Sequence, residues 1–397
     1  MLLANPPKVS VGSEQLLITE NFKILRGKKI GLVTNHTAVT SRMISTITLL
    51  KNNAKAGGYT LNALFAPEHG LDGKAYASKA VAHSKDKDGI PIHSLHGATR
   101  RPTEQMLKNV DLLIYDIQDI GSRSYTYVNT LFYIMEEASK HKIPILVLDR
   151  PNPINGKMVD GPMMLDKWRS FLGYVNVPYC HGMTVGELAQ FFNEEYHIGA
   201  ELTVIKMAGW ERKMSFQDTG LPWIPSSPHI PEASTALFYP TTGLLGELSL
   251  VNIGIGYTLP FKLVGAPWID AEKLAETLNQ QSAAGVHFEP FHYRPFFGKF
   301  AQKDCQGVLI VVTDRDAFRP VSTQYMIMGV LKNLYPKEFK EALTAAKAKL
   351  ELFNKANGTD EVYKLMSETT HIIWPLKSLH QEQRNAFLTK RKKYLLY

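Results

Sequence analysis

The 397-residue chain has only two cysteines, Cys180 and Cys305, with no Cys-x-x-Cys or Cys/His spacing around either, so a zinc site is disfavoured and no metal is expected. No apolar run approaches the ~20 residues a membrane helix needs; the longest, such as Ile143–Leu148, have the length of buried strands. The N-terminal Met1-Leu-Leu-Ala-Asn-Pro-Pro7 carries no charged segment followed by an apolar one, so no secretory signal is read in it. There is no G-x-G-x-x-G after the first strand pattern, and Gly254-Ile-Gly256-Tyr257 lacks the third glycine and the following helix. The P-loop, the G-x-S-x-G elbow and H-E-x-x-H are missing too. These absences weigh against dinucleotide oxidoreductases, NTPases, serine esterases and zinc proteases, and no cofactor is expected. The net charge is +8, with a basic cluster at Lys390-Arg391-Lys392-Lys393 but no nucleic-acid reading motif beside it. The cluster reads as a solvated helix end, and the charge excess suits approach to an anionic polymer.

What is present is an alternation of strand and helix patterns. Lys29–Thr34, Leu61–Ala66, Asp111–Ile117, Ile143–Leu148 and Glu201–Lys206 read as strands, with helices at Ile44–Lys51, Thr126–His141 and Thr184–Tyr196. That order predicts an α/β fold with a parallel, doubly wound sheet. Proline becomes dense at Leu221-Pro-Trp-Ile-Pro-Ser-Ser-Pro-His-Ile-Pro231, which neither helix nor central strand tolerates. A boundary there gives two domains, 1–228 and 229–397. The second carries a Gly-rich stretch from Gly243 to Gly256, a helix at Ala271–Gln281, a strand at Gly307–Thr313, and helical patterns near 322–334 and 336–353.

Ligands of open parallel sheets bind beyond the carboxyl ends of the strands. Those positions hold Asn35-His36, then Pro67-Glu68-His69-Gly70, then Asp116, Gln118, Asp119 and Gly121-Ser122-Arg123, then Asp149-Arg150-Pro151-Asn152. Together they predict a polar crevice suited to a sugar or another polyol, although the same residue types also serve as turn and cap residues. Glu68 is the sharpest candidate, between a φ-restricted proline and a permissive glycine; a carboxyl at a sheet edge can act as a general acid, or equally serve as a cap or ion pair. Glycoside hydrolysis requires a second carboxyl, for which Asp116, Asp119, Asp149 and Glu247 are possible. Glu136 and Glu137 read as surface charges in mid-helix. His181 precedes a helix whose Thr184 and Glu187 form a capping box, and it can face the site.

The segments Gly27-Lys-Lys-Ile-Gly-Leu-Val-Thr-Asn35, Leu64-Phe-Ala-Pro-Glu-His-Gly70, Asp111-Leu-Leu-Ile-Tyr-Asp-Ile-Gln-Asp119 and Gly121-Ser-Arg-Ser-Tyr-Thr-Tyr127 resemble one bacterial family. So do Leu148-Asp-Arg-Pro-Asn-Pro153, His181-Gly-Met-Thr-Val-Gly-Glu-Leu188, Gly265-Ala-Pro-Trp-Ile269 and Val311-Val-Thr-Asp-Arg315. The family is domain of unknown function 1343, associated with glycoside hydrolase family 171 and the NamZ-type exo-β-N-acetylmuramidases. The resemblance runs from about residue 20 to the C-terminus. It implies a Rossmann-like domain followed by a smaller C-terminal α/β domain, with the site in a cleft near their junction. It also implies cofactor-free removal of N-acetylmuramic acid from the non-reducing ends of peptidoglycan fragments. The glutamate of the Pro-Glu-His-Gly motif, the family's proposed catalytic residue, falls on Glu68. One departure stands out. Many members read Glu-Gly-Thr-Asn and then Gly-Arg-Gly-Thr where this chain has Gly246-Glu247-Leu-Ser and Gly254-Ile-Gly-Tyr257-Thr258. If the missing arginine holds the lactyl carboxylate, Arg123 and Arg150 are candidates to replace it through paired hydrogen bonds.

The resulting expectation is hydrolysis of a β-1,4 bond at a chain end. Glu68 is the acid/base residue, His69 and Asp116 orient it or the sugar, and Glu247 is a further catalytic candidate. Asn35, Gln118, Arg123, Tyr125, Arg150, Asn152 and His181 form the substrate-binding set, and Trp223, Trp268 or Tyr257 either stack on a sugar or belong to the core. The partners implied are peptidoglycan-derived saccharides, with no nucleic acid and no integral membrane segment; oligomeric state is left open. The family places such proteins in the periplasm or outside the cell; with no signal visible in this chain, the alternative is the cytoplasm, and composition does not choose between them. Two alternatives share the crevice: a non-catalytic binder of muropeptides or cell-wall glycans, and a hydrolase of another β-linked N-acyl amino sugar, prompted by the altered Gly246–Thr258 segment.

Overall fold

A computed structural model describes residues 8–75 and 82–397. The first half is built on seven strands: β1 (Lys29–Thr34), β2 (Thr60–Ala66), β3 (Ser84–Lys85), β4 (Pro91–Ser94), β5 (Leu112–Asp116), β6 (Ile145–Leu148) and, later in the chain, β9 (Leu202–Ile205). They form one sheet in the order β3-β4-β2-β1-β5-β6-β9. All neighbours are parallel except the short edge strand β3, which runs against β4. The strands read as nearly unbroken apolar runs because both faces of the sheet are covered. Along β5, Leu112 and Ile114 enter one core while Leu113 and Tyr115 enter the other; along β6, Leu146 and Leu148 alternate with Ile145 and Val147 in the same way. The helix Thr126–His141 spans the predicted residues and buries Leu131, Phe132 and Met135. Val185–Glu195 begins at the predicted capping box, with Thr184 accepting from the Glu187 N–H and Glu187 from the Thr184 N–H. Between these helices β7 (Asp160–Met163) and β8 (Pro178–Cys180) form a two-stranded ribbon.

The second half begins with the helix Thr235–Glu247, which contains Pro240. A three-stranded antiparallel sheet follows, in the order β10 (Leu263–Ala266), β12 (Cys305–Val312), β11 (Val286–Tyr293). The helix Ala271–Gln280 packs on it, Pro320–Leu334 packs against that helix and against Thr235–Glu247, and short helices from Pro336–Ala346 to Gln381–Lys390 complete the chain. Two features differ from the sequence reading. The Gly-rich stretch starts inside a helix, and β11 was not anticipated, since Pro290 interrupts its pattern. Among the described residues, no helix is long and apolar enough to cross a membrane.

The chain proceeds from β1 towards β2 and β4 on one side, then returns to β5, β6 and β9 on the other, so the topological switch lies between β1 and β5. In open α/β sheets this is where ligands usually bind. Here that position is plugged. Val11 and the proline-rich residues Leu221, Pro222 and Ile224 close over Thr37, Gln118 and Arg150, leaving about 10 Å³, space for one water at most.

Beneath the plug lies a buried polar layer. Arg150 grips Asp116 through Nε and Nη2 (Nη2 to Oδ2, 3.1 Å) and donates Nη1 to the Val39 carbonyl at 3.0 Å. Thr46 donates its hydroxyl to Asp116 Oδ2 at 2.5 Å. Asp119 accepts from the Gly121 N–H at 2.7 Å, yet burial raises its pKa to about 7. Asp149 is raised by burial to about 6, with Thr184, the Gly186 N–H and Tyr397 donating to it.

Two predictions follow from this layer. Arg150→Met leaves the Asp116 carboxylate buried without its cation and should cost about 3–5 kcal/mol in urea unfolding. A loss below 1 kcal/mol would mean the pair is not a structural element. The Asp119 carboxyl is protonated in the fold up to about pH 7 but only up to ~4 in the unfolded chain. Its contribution to stability is therefore complete below pH ~4 and is lost as pH climbs towards 7. Asp119→Asn should consequently gain on the wild type by up to about 4 kcal/mol between pH 4 and pH 8, and parallel stability profiles would contradict the assignment.

Candidate active site

A cavity of about 490 Å³ opens beside the plugged switch point, where the loops after β2 and β5 meet the second half of the chain. The Pro67–Gly70 turn supplies its acidic floor. His69 (φ 68°) and Gly70 (φ 79°) are both left-handed, a reversal that presents Glu68 to the cavity. His69 is held in this uncommon conformation by a 2.6 Å contact from Nδ1 to the Ala75 carbonyl. Glu68 is 7% exposed; its Oε2 accepts the Thr126 hydroxyl at 2.7 Å, and His96 Nε2 stands 3.7 Å from Oε1. Thr126 is the first residue of its helix. Burial lowers the pKa of His96, against the opposing pull of Glu68.

The facing wall comes from the helix Thr235–Glu247 and the residues after it. Gly243 and Gly246 line the cavity, and a Cβ on Gly243 would meet open space, so the helix leaves the room unfilled. Glu247 ends the helix with its carboxyl in the cavity. Its surface is reachable by water, but the enclosing protein raises its pKa through desolvation, offset in part by Lys349. Tyr239 lines the cavity near enough to both acids to feel their charges. Burial lifts its pKa to about 12, Ser124 holds its hydroxyl at 3.2 Å, and the charges of both Glu247 and Glu68 add to the rise. Lys299 is the one lysine or arginine among the described residues lining the cavity.

Of the residues expected from sequence, Glu68, His69, Tyr125 and Glu247 line this cavity. Tyr125 donates to Ser226 at 3.0 Å, and burial raises its pKa. The others are turned to structural partners. Asp116 and Arg150 pair with each other below the plug. Asn35 binds the Thr37 N–H and hydroxyl, and Gln118 spans the Asp119 and Pro151 carbonyls at 2.8 Å. Arg123, 2% exposed, donates to the carbonyls of Pro162, Val177 and Asn357, and burial lowers its pKa to about 10. Asn152 ties the Met183 carbonyl to the Ile154 N–H. His181 accepts from the Met183 N–H, and burial lowers its pKa to about 3, so it stays neutral. Thus neither arginine proposed for a lactyl carboxylate reaches the cavity. Trp223 packs edge-on against Phe216 and Tyr257 against Tyr293, while Trp268 borders a second cavity.

His96, Thr126, His229, Tyr239 and Lys299 were not singled out in the sequence. Thr126 lies inside the recognised Gly121–Tyr127 segment, and His96 lies just past β4, a strand too short for its alternation to be seen.

Comparison with known proteins covers the chain almost end to end. Residues 30–234 match the family model "Exo-beta-N-acetylmuramidase NamZ, N-terminal", and residues 237–397 match its C-terminal counterpart. The chain is 41% identical over 395 residues to the peptidoglycan beta-N-acetylmuramidase NamZ of Bacillus subtilis (strain 168), spanning 99% of this chain and 92% of that protein. Two crystal structures of proteins from domain-of-unknown-function family 1343 of Bacteroides fragilis NCTC 9343 are also similar. One has TM-score 0.90 at 40% identity, the other 0.74 at 28%, each over 98% of this chain and 99% of the other.

Proposed function

The chain belongs to the NamZ family of exo-β-N-acetylmuramidases, and on that premise we propose that Glu68 and Glu247 are the carboxyl pair with which it releases N-acetylmuramic acid from the non-reducing ends of peptidoglycan fragments. The observation that carries this reading is one cavity entered by two acidic side chains, with Tyr239 close enough to feel both. Hydrolysis of a glycosidic bond needs an acid for the leaving oxygen and a second carboxyl on the other side of the sugar. Glu68 is the acid, its orientation fixed by Thr126 and backed by His96. Glu247 is the partner; its raised pKa brings its basicity nearer to neutral pH, where a general base works best. Two units divided between residues 228 and 229 each contribute one of the pair.

Lys299 receives the lactyl carboxylate in place of Arg123 and Arg150. A muramyl residue differs from N-acetylglucosamine by that acidic ether, so a cation in the pocket is what distinguishes the two sugars. On this reading the protein works in the periplasm or outside the cell, where its substrate is found.

Glu68→Gln should reduce release of N-acetylmuramic acid from a β-linked disaccharide by about 10²–10⁴-fold. The loss should be much smaller on a nitrophenyl β-muramide, whose leaving group needs no proton, while Glu247→Gln should impair both substrates alike. Wild-type rates in Glu68→Gln would end the assignment, and tight binding of intact disaccharide by the unaltered protein without turnover would indicate a binding protein instead. Lys299→Ala should lower kcat/KM for a β-N-acetylmuramide about 10–100-fold, the worth of one charge-assisted hydrogen bond, relative to the matching β-N-acetylglucosaminide. An unchanged ratio would remove Lys299 from this role.

A further inference from the structure

A second cavity, about 470 Å³, joins the first: Glu247, Ser249 and Lys299 line both. Its far side is formed by Trp268, by the outer face of the helix Pro336–Ala346, and by Lys349. Trp268 is partly exposed here and braced edge-on by Tyr335, with ring centroids 5.1 Å apart. The hydroxyl of Tyr335 in turn accepts the Asp270 N–H at 3.0 Å, which anchors the brace. On the helix Pro336–Ala346, Ala345 is exposed and borders the cavity with no more than a methyl group. An indole held rigid on one edge, in a compartment bordered also by apolar Leu250 and Phe300 and by polar Glu341, Lys349 and Ser249, combines an apolar face with a polar rim. That is the chemistry of a pyranose site, since a sugar ring has an apolar face of C–H groups and a periphery of hydroxyls.

We propose that this second cavity binds the leaving portion of the substrate, with the amino sugar next to the cleaved linkage lying against Trp268. The inference rests on the reading of Glu68 and Glu247 as the catalytic pair. An enzyme that removes one terminal sugar holds that sugar on one side of the reacting carboxyls and must let the remaining chain leave on the other. Glu247 stands with Ser249 and Lys299 where the two cavities share their lining, so the linkage passes it and the chain continues over Ser249 and Lys299 into the second compartment. Contacts there are realised with a saccharide leaving group and are absent with a small one, so they set a preference for natural fragments over truncated substrates.

The test compares kcat/KM for the β-linked N-acetylmuramyl–N-acetylglucosamine disaccharide with that for N-acetylmuramyl β-fluoride, whose leaving atom is too small to reach Trp268. Trp268→Ala removes the platform. Ala345→Trp, at an exposed helical position that tolerates substitution, fills the compartment without touching the first cavity. Each should lower the disaccharide-to-fluoride ratio about tenfold, and Trp268→Phe should restore most of it. An unchanged ratio in both Trp268→Ala and Ala345→Trp overturns the proposal. If the wild type hydrolyses neither substrate, the catalytic reading itself has failed, an outcome distinct from a wild type that cleaves both with a ratio insensitive to these variants.

Discussion

A 2.7 Å hydrogen bond from Thr126 to Glu68 fastens the loop after β2 to the first turn of the helix after β5. These two segments flank β1, the strand at which the sheet reverses direction. The bond therefore spans the switch point from above and sets where a carboxyl can stand. A buried carboxyl is costly unless it is hydrogen-bonded, and Thr126 satisfies one oxygen while His96 lies near the other. The left-handed His69 and Gly70 complete the turn, so a strained backbone is held in place by the surrounding fold, as is usual where strain serves a site.

The plug over β1 and β5 explains why the cavity lies to one side. Val11 and the proline-rich segment fill the customary crevice, and the polar residues beneath it become fold elements instead of ligand contacts. Beside the plug, where residues of the second half of the chain face Glu68, there is a cavity with room for a sugar. The helix Thr235–Glu247 leaves that room at Gly243 and ends on its wall at Glu247. Both halves line this cavity, and in the proposed reading each brings one acid, both near enough to Tyr239 to raise its pKa.

Much of the fold was legible from periodicity. The alternating cores of β5 and β6, the helix Thr126–His141 and the capping box at Thr184 follow from local residue order. So did Glu68, because proline and glycine around a glutamate define a turn without reference to the rest of the chain. What local order does not carry is the partner of a polar side chain. Arg123 looks like a ligand-binding arginine until the Asn357 carbonyl, 234 residues later, claims it. Arg150 is taken by Asp116 and the Val39 carbonyl, and Gln118 by the backbone beside it. Lys299 sits in a loop whose sequence has no periodic or motif signal, and only its place on the cavity wall marks it. Strand tips are polar both where they bind ligands and where they lock the sheet, and burial distinguishes the two.

The most direct test of the account is a crystal structure of the protein with N-acetylmuramic acid bound. The account predicts the sugar in the 490 Å³ cavity, between the carboxyls of Glu68 and Glu247, with its lactyl carboxylate on Lys299. A sugar seated instead over the Asp116–Arg150 pair, with the proline-rich plug displaced, would contradict it.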